Sequence, residues 1–191
     1  TAINIKKFEN PNLLNQVKRD SSNFNFLVVG SLTPQKNIDN IIKSFSRLNK
    51  GVLLIAGVGE KEKELKKLTN SLGLNNRVEF LGFIRDIPSL MIQGDCFVFP
   101  SLWEGLGLVA IEALLSGLPV IATKDSGTGE FVKDDYNGIT INDPSSVDEI
   151  YQAMKKIMNN DSLREKLKKN TKNLLIDFSI EHNINLLLKY E

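Results

Sequence analysis

The sequence predicts an α/β fold, a Rossmann-like, doubly wound parallel sheet of about six strands with helices on both faces. Two observations carry that prediction. Short β-rich apolar runs alternate with stretches of helical periodicity along most of the 191 residues, the pattern of βαβ units. Several of the runs are also apolar throughout, without polar alternation, as in parallel strands covered on both faces.

Taken in order, the predicted strands are 26–29, 52–56, 78–81, 96–99, 120–122 and 139–141. Between them, helical patterns span 38–48, 60–72, 87–93 and 108–116. After the last strand come three more helical stretches, 145–158, 162–176 and the amphipathic 180–190. Residues 1–23 are polar, rich in Asn and Lys and weakly periodic, and read as a linker or peripheral segment; residues 24–191 form the domain. No internal repeat or low-complexity segment breaks it.

Composition narrows the function classes. The chain is 41% hydrophobic and 25% charged, with net charge +1, which are globular values without the basic excess of a nucleic-acid binder. Its lysines interleave with acids, as in Lys61-Glu62-Lys63-Glu64 and Arg164-Glu165-Lys166, and read as solvated helix faces. The single cysteine, Cys96, lies in the apolar run Cys96-Phe97-Val98-Phe99 and reads as a buried strand thiol in a reducing compartment. No apolar segment reaches membrane-spanning length and no signal peptide is visible, so a cytoplasmic location is expected. The first residue is Thr1 rather than Met, and a fragment of a longer protein is expected.

Ligands of open α/β sheets bind beyond the carboxyl ends of the strands. Glycines collect there: Gly30, then Gly57 and Gly59, Gly82, Gly105 and Gly107, and Gly127 and Gly129. The densest stretch runs from Pro100 through Glu104, Gly105, Leu106, Gly107 and Leu108 to Glu112. The helix that starts after Gly107 presents free amide groups and the positive end of its dipole, a site for phosphate. Side chains on a helix lean toward its N-terminus, so Glu112 reaches back to the same place, and Glu104 hangs over it from the preceding turn. An ionised carboxylate inside the apolar run 108–115 needs a polar partner. The alternatives are a bound ligand or a structural ion pair with Arg85 or Lys124. Two carboxylates repel phosphate but accept well from sugar and ribose hydroxyls, with bonds worth about 1.5–3 kcal/mol each. The phosphates then need a cation, and Lys36 stands at the end of the first strand. Together these parts describe a site for a nucleotide-diphosphate sugar.

Other readings fit less well. In Gly57-Val58-Gly59-Glu60-Lys61-Glu62, Glu62 occupies the place of the third glycine of a dinucleotide fingerprint. No Walker A motif occurs, and one Cys and one His give no zinc spacing. His182 reads as a surface or interface residue.

The frame P-S-x-x-E-G-x-G-L-x-x-x-E-A around Glu104 and Glu112 resembles the retaining glycosyltransferases of the GT-B fold, family 4 in particular. The resemblance extends over about residues 26–190. It takes in Val29-Gly30 through Lys36, Ala56-Gly57-Val58-Gly59, Phe80-Leu81-Gly82-Phe83, Ser116-Gly117-Leu118-Pro119, Gly127 to Val132, and Phe178-Ser179. It implies that the chain is one half of a GT-B fold, the C-terminal donor-binding domain, with the N-terminal acceptor domain absent. It further implies that Glu112 holds the ribose and Glu104 the transferred sugar. Backbone amides of Gly105, Leu106, Gly107 and Leu108 cradle the distal phosphate and sugar, and Lys36 offsets charge on the leaving diphosphate. Gly30 and Ser31 line the site, Phe83 and Ile84 border the base, and Gly127 and Gly129 shape the pocket wall. Lys36 and Glu104 are thus the implied catalytic pair.

No cofactor or metal is expected, and no general base is required. The acceptor is expected to be a glycan or lipid-linked sugar, in cell-surface polysaccharide or glycolipid synthesis. Any membrane attachment would come through the absent part, on the cytoplasmic face. The chain departs from the family where an arginine often follows the first glycine and Ser31 stands instead; Arg85 and Lys124 are the other cations at strand ends. Asn37 replaces a common glycine and Leu106 a common phenylalanine. A non-catalytic nucleotide-sugar-binding module and another GT-B-like enzyme, such as a nucleotide-sugar epimerase or a phosphorylase, are the alternatives. For a phosphorylase, no cofactor lysine stands in a suitable setting.

Overall fold

The computed structural model describes residues 23–171. Six strands, β1 (Asn25–Val29), β2 (Val52–Ala56), β3 (Val78–Gly82), β4 (Cys96–Phe99), β5 (Val120–Thr123) and β6 (Gly138–Ile141), form one sheet. All pairs are parallel and the order is β3-β2-β1-β4-β5-β6. Each predicted strand is present, with bounds within one residue of the expectation. The helices are α1 (Ile38–Ser46), α2 (Glu62–Ser71), α3 (Ile87–Met91), α4 (Leu108–Leu115), α5 (Val147–Asn159) and α6 (Asp161–Thr171). The end of the predicted 162–176 helix and the whole of 180–190 lie outside the described residues, as do His182, Phe178 and nearly all of the predicted linker.

Strand alternation divides the core into two layers. Phe26 and Val28 of β1 face α1, α2, α5 and α6, packing with Ile41, Phe45, Leu65, Met154 and Leu167. Leu27 and Val29 point the other way, onto Leu90, Met91, Ala110, Ile111 and Leu114 of α3 and α4. With helices on both faces, the central strands have no solvated side, which is why β1, β4 and β5 are buried along their whole length and read as continuous apolar runs.

The sheet order reverses between β1 and β4. From β1 the chain winds outward through α1 and α2 to β2 and β3; it then returns through α3 to β4, on the other side of β1. The loops that follow β1 and β4 therefore part in opposite directions above the sheet centre.

Cys96 is fully buried in β4, and that burial, reinforced by the charge of Asp95, pushes its thiol pKa up. A thiol reagent at neutral pH should leave Cys96 unmodified in the folded chain and label it only across the denaturant unfolding transition. Rapid labelling without denaturant would show that β4 opens.

Candidate functional site

The β1 loop passes through Gly30 and Ser31 into a short 3₁₀ turn, Pro34–Lys36. Asn37 ends the turn in the left-handed conformation, φ 57° and ψ 31°. Asparagine is one of the few residues besides glycine that enters this region readily, so a glycine and an asparagine serve equally at this place. The asparagine adds something a glycine lacks. Its buried side-chain amide donates to the carbonyl of Pro100 at 3.0 Å and to that of Pro144 at 2.5 Å. The loops after β1, β4 and β6 are thereby tied together.

Lys36 closes that turn. Its ammonium lies 2.5 Å from Oε2 of Glu104 and 4.7 Å from the centre of the Phe99 ring. The two side chains are only 15% and 14% exposed. Residues 68 positions apart thus meet where the loops of β1 and β4 part. The backbone around the pair is braced. Gln35 accepts from Leu102 N–H at 2.9 Å through its carbonyl and donates its side-chain amide to Trp103 O at 2.8 Å. From the other side, Gly127 N–H donates to Glu104 O at 3.3 Å. A Cβ on Gly127 would lie 1.2 Å from Gly105 O, so no other residue fits without moving that loop. The wall-shaping glycine predicted from sequence makes its close approach to the glutamate loop itself.

Gly107 precedes α4 at φ 62° and ψ 50°, and a Cβ there would strike Thr128 Cγ2 at 2.3 Å. It offers no side-chain cap. Ala110 N–H already bonds to Gly107 O at 2.8 Å, and the amides of Leu108 and Val109 before it have no intrahelical acceptor.

Glu112 differs from the sequence expectation. The run 108–115 suggests a buried charge, yet Glu112 is half-buried. Ala110, Ile111, Ala113, Leu114 and Leu115 take the core, while Leu108 and Glu112, four residues apart, share a partly exposed stripe.

A cavity of about 480 Å³ opens beside these loops, over the ends of β1, β2 and β3, within the size range of small-ligand sites. Gly30, Ser31, Phe83, Ile84 and Arg85 line it together with Val29, Ala56 and Val58. It gathers four of the sequence-predicted residues, with Phe83 73% exposed at its mouth. Arg85 stands in the same wall as Ser31; only the fold reveals that, because the two belong to different strand ends. A second recess of about 520 Å³ lies between the first turns of α1 and α2. Its charges are already paired with each other, Lys43 with Asp39 at 2.9 Å and Lys61 with Glu64 at 2.6 Å.

Sequence reasoning missed the bracing roles of Gln35 and Asn37, which depend on partners more than 60 residues away. It also passed over Trp103, 60% exposed beside Glu104. A tryptophan placed directly before the motif glutamate was the available signal. Among the described residues no three His, Cys, Asp or Glu side chains gather as a metal site. No described helix is long and apolar enough to cross a membrane.

Comparison with known proteins agrees with this geometry. The family described as Glycosyl transferases group 1 matches residues 9–174. The chain is 32% identical over 168 residues to the UDP-Gal:alpha-D-GlcNAc-diphosphoundecaprenol alpha-1,3-galactosyltransferase of Escherichia coli, covering 84% of this chain and 42% of that protein. It is 31% identical over 175 residues to an uncharacterized glycosyltransferase of Methanocaldococcus jannaschii, covering 89% and 45%. The chain thus spans less than half the length of these relatives. Among solved structures, the Anabaena protein HepE in complex with UDP and glucose superposes with a TM-score of 0.87 at 25% identity, over 100% of this chain and 54% of that one. The C-terminal domain of a Francisella tularensis glycosyl transferase group 1 family protein, LpcC, gives 0.73 at 28% identity, over 80% and 84%. Six parallel strands flanked by helices are the Rossmann-like half of a GT-B fold.

Two substitutions test the bracing. Asn37→Ala loses one buried and one partly buried hydrogen bond and a residue suited to the left-handed region, so urea denaturation should show a loss of about 2–4 kcal/mol. Asn37→Gly should cost less, because it keeps the conformational freedom; an alanine variant as stable as wild type would remove the role assigned to Asn37. Gly127→Ala should lower Tm by roughly 5 °C or more through its clash with Gly105. An unchanged Tm would show that this loop yields freely.

Proposed function

The chain belongs to the glycosyl transferases group 1 family, and we propose that it is the donor-binding half of a retaining, family 4-type hexosyltransferase. It binds a nucleotide-diphosphate sugar whose hexose passes to a glycan or lipid-linked acceptor. The observation that carries this reading is the meeting of Lys36 and Glu104 at the sheet's switch point, in the loop that leads into the glycine-started α4.

Each group then has a task set by its chemistry. The free amides at the start of α4 and the Lys36 ammonium receive the diphosphate, whose negative charge grows as the sugar–phosphate bond breaks; preorganised donors of this kind stabilise a transition state most. Glu104 accepts from hydroxyls of the transferred sugar. Glu112 accepts from the ribose hydroxyls, from a half-buried position on the partly exposed stripe of α4. Gly30 and Ser31 line the nucleotide's path, and Phe83 and Ile84 border the base in the 480 Å³ cavity.

Attack comes from the same face that the diphosphate leaves, and the departing phosphate oxygen takes the acceptor's proton. No side-chain base and no metal enters the step. Among relatives, the E. coli enzyme is a galactosyltransferase acting on a GlcNAc-diphosphoundecaprenol, and HepE holds UDP and glucose; both support a nucleotide-sugar donor and a glycan acceptor. The acceptor would be held by the part of the full-length enzymes that this chain does not span. Turnover by the chain alone is therefore expected to be slight, although donor binding is expected. The reading places the full enzyme in the cytoplasm or on the cytoplasmic membrane face, in polysaccharide or glycolipid synthesis.

A thermal-shift screen with UDP, GDP and ADP sugars should raise Tm for the matching base, because a ligand bound only by the folded state stabilises it. For that donor, Glu112→Ala should weaken calorimetric affinity by on the order of a hundredfold, the loss of charge-assisted bonds to two hydroxyls. Unchanged affinity would remove the ribose assignment.

A further inference from the structure

The Lys36–Glu104 pair raises a question that the assigned roles leave open. The cation meant for the diphosphate is already engaged, 2.5 Å from a carboxylate, with both side chains largely shielded from water. We infer that Glu104 is a selectivity residue that sets this site against free nucleoside diphosphate and in favour of the sugar nucleotide. The inference rests on the reading above, in which Lys36 takes the diphosphate and Glu104 the sugar.

An entering diphosphate must draw Lys36 away from Glu104, which leaves a shielded carboxylate without its cation. That is unfavourable unless another donor replaces the ammonium. A sugar nucleotide brings the replacement, because the hydroxyls of its hexose donate to the freed carboxylate. A nucleoside diphosphate brings none. Its terminal phosphate is no longer esterified and carries a further ionisation near neutral pH, directed at the same carboxylate. The two ligands share base, ribose and phosphates, so the difference between them falls on Glu104. After transfer the same residue works in the other direction: once the hexose has left, Glu104 recaptures Lys36 and displaces the product.

The surroundings suit an exchange of side-chain partners without loop movement. The backbone of residues 102–105 is held by Gln35 on one side and Gly127 on the other. Phe99 lies under the ammonium at 4.7 Å, and this cation–π contact keeps Lys36 at the crevice floor when the carboxylate lets go.

Glu104→Gln removes the charge and keeps a group that can hydrogen-bond to hydroxyls. Calorimetry of the whole chain with a nucleoside, its diphosphate and its sugar diphosphate, in uridine, guanosine and adenosine series, tests the inference. For the base that wild type binds, the variant should bind the nucleoside diphosphate on the order of tenfold tighter. Its affinity for the sugar nucleotide should gain less than that for the diphosphate, because the release of Lys36 is offset by weaker bonds from the hexose hydroxyls to a neutral amide, and its affinity for the nucleoside should move by less than about threefold. Emission of Trp103, the chain's one tryptophan, gives a second readout beside the exchanged pair.

Equal or weaker diphosphate binding by a folded variant overturns the inference and leaves the donor-site reading standing. So does an equal gain for the uncharged nucleoside, since the effect then does not run through Lys36. If the glutamine variant does not fold, Glu104→Ala carries the same expectation for the diphosphate. If folded wild type binds no diphosphate and no sugar nucleotide of any series, the donor-site reading itself falls, and the inference with it.

Discussion

The pairing of β1 with β4 is the constraint on which the rest of this molecule depends. Phe26 and Leu27 lie in register with Cys96 and Phe97, joining two segments about 70 residues apart in the chain. Because β2 and β3 extend the sheet to one side and β5 and β6 to the other, the loops leaving β1 and β4 must diverge. A crevice forms at that divergence for topological reasons, whatever side chains line it. What this sequence adds is one cation on the first loop and one carboxylate on the second, placed to meet across it.

Backbone packing then holds that crevice open at a defined width. The loops at the carboxyl ends are tied by Asn37 to Pro100 and Pro144, by Gln35 to Leu102 and Trp103, and by Gly127 against Gly105. Of these, the Asn37–Pro100 bond is buried, and its carbonyl would otherwise be left without that partner. The main chain around the site is thus braced at several points, while the Lys36–Glu104 contact is made by side chains alone.

Much of this was legible in the sequence, and the reasons are local. The six strands were readable because parallel strands covered on both faces must be apolar throughout, as 26–29 and 96–99 are. Helix positions followed from periodicity and their ends from glycine and proline. The grouping of Glu104, Gly107 and Glu112 was readable because those residues lie within one loop and one helix. The degree of burial of Glu112 was not readable, because it depends on which stripe of α4 the sheet covers; Leu108 and Glu112 fall on the uncovered one. Nor could the sequence place Arg85 in the same cavity wall as Ser31, since that follows from the order β3-β2-β1.

By itself, then, the sequence determined the fold class, the family frame and the inventory of charged groups at the strand ends. These are properties of residue type and short-range spacing, where periodicity and steric preference act within a few residues. Only the tertiary structure decided how the charges are disposed. Lys36 engages Glu104 across the crevice. The physical reason is that an ion pair between residues 68 positions apart depends on strand order, crossover direction and loop packing together. No local rule of sequence specifies their sum.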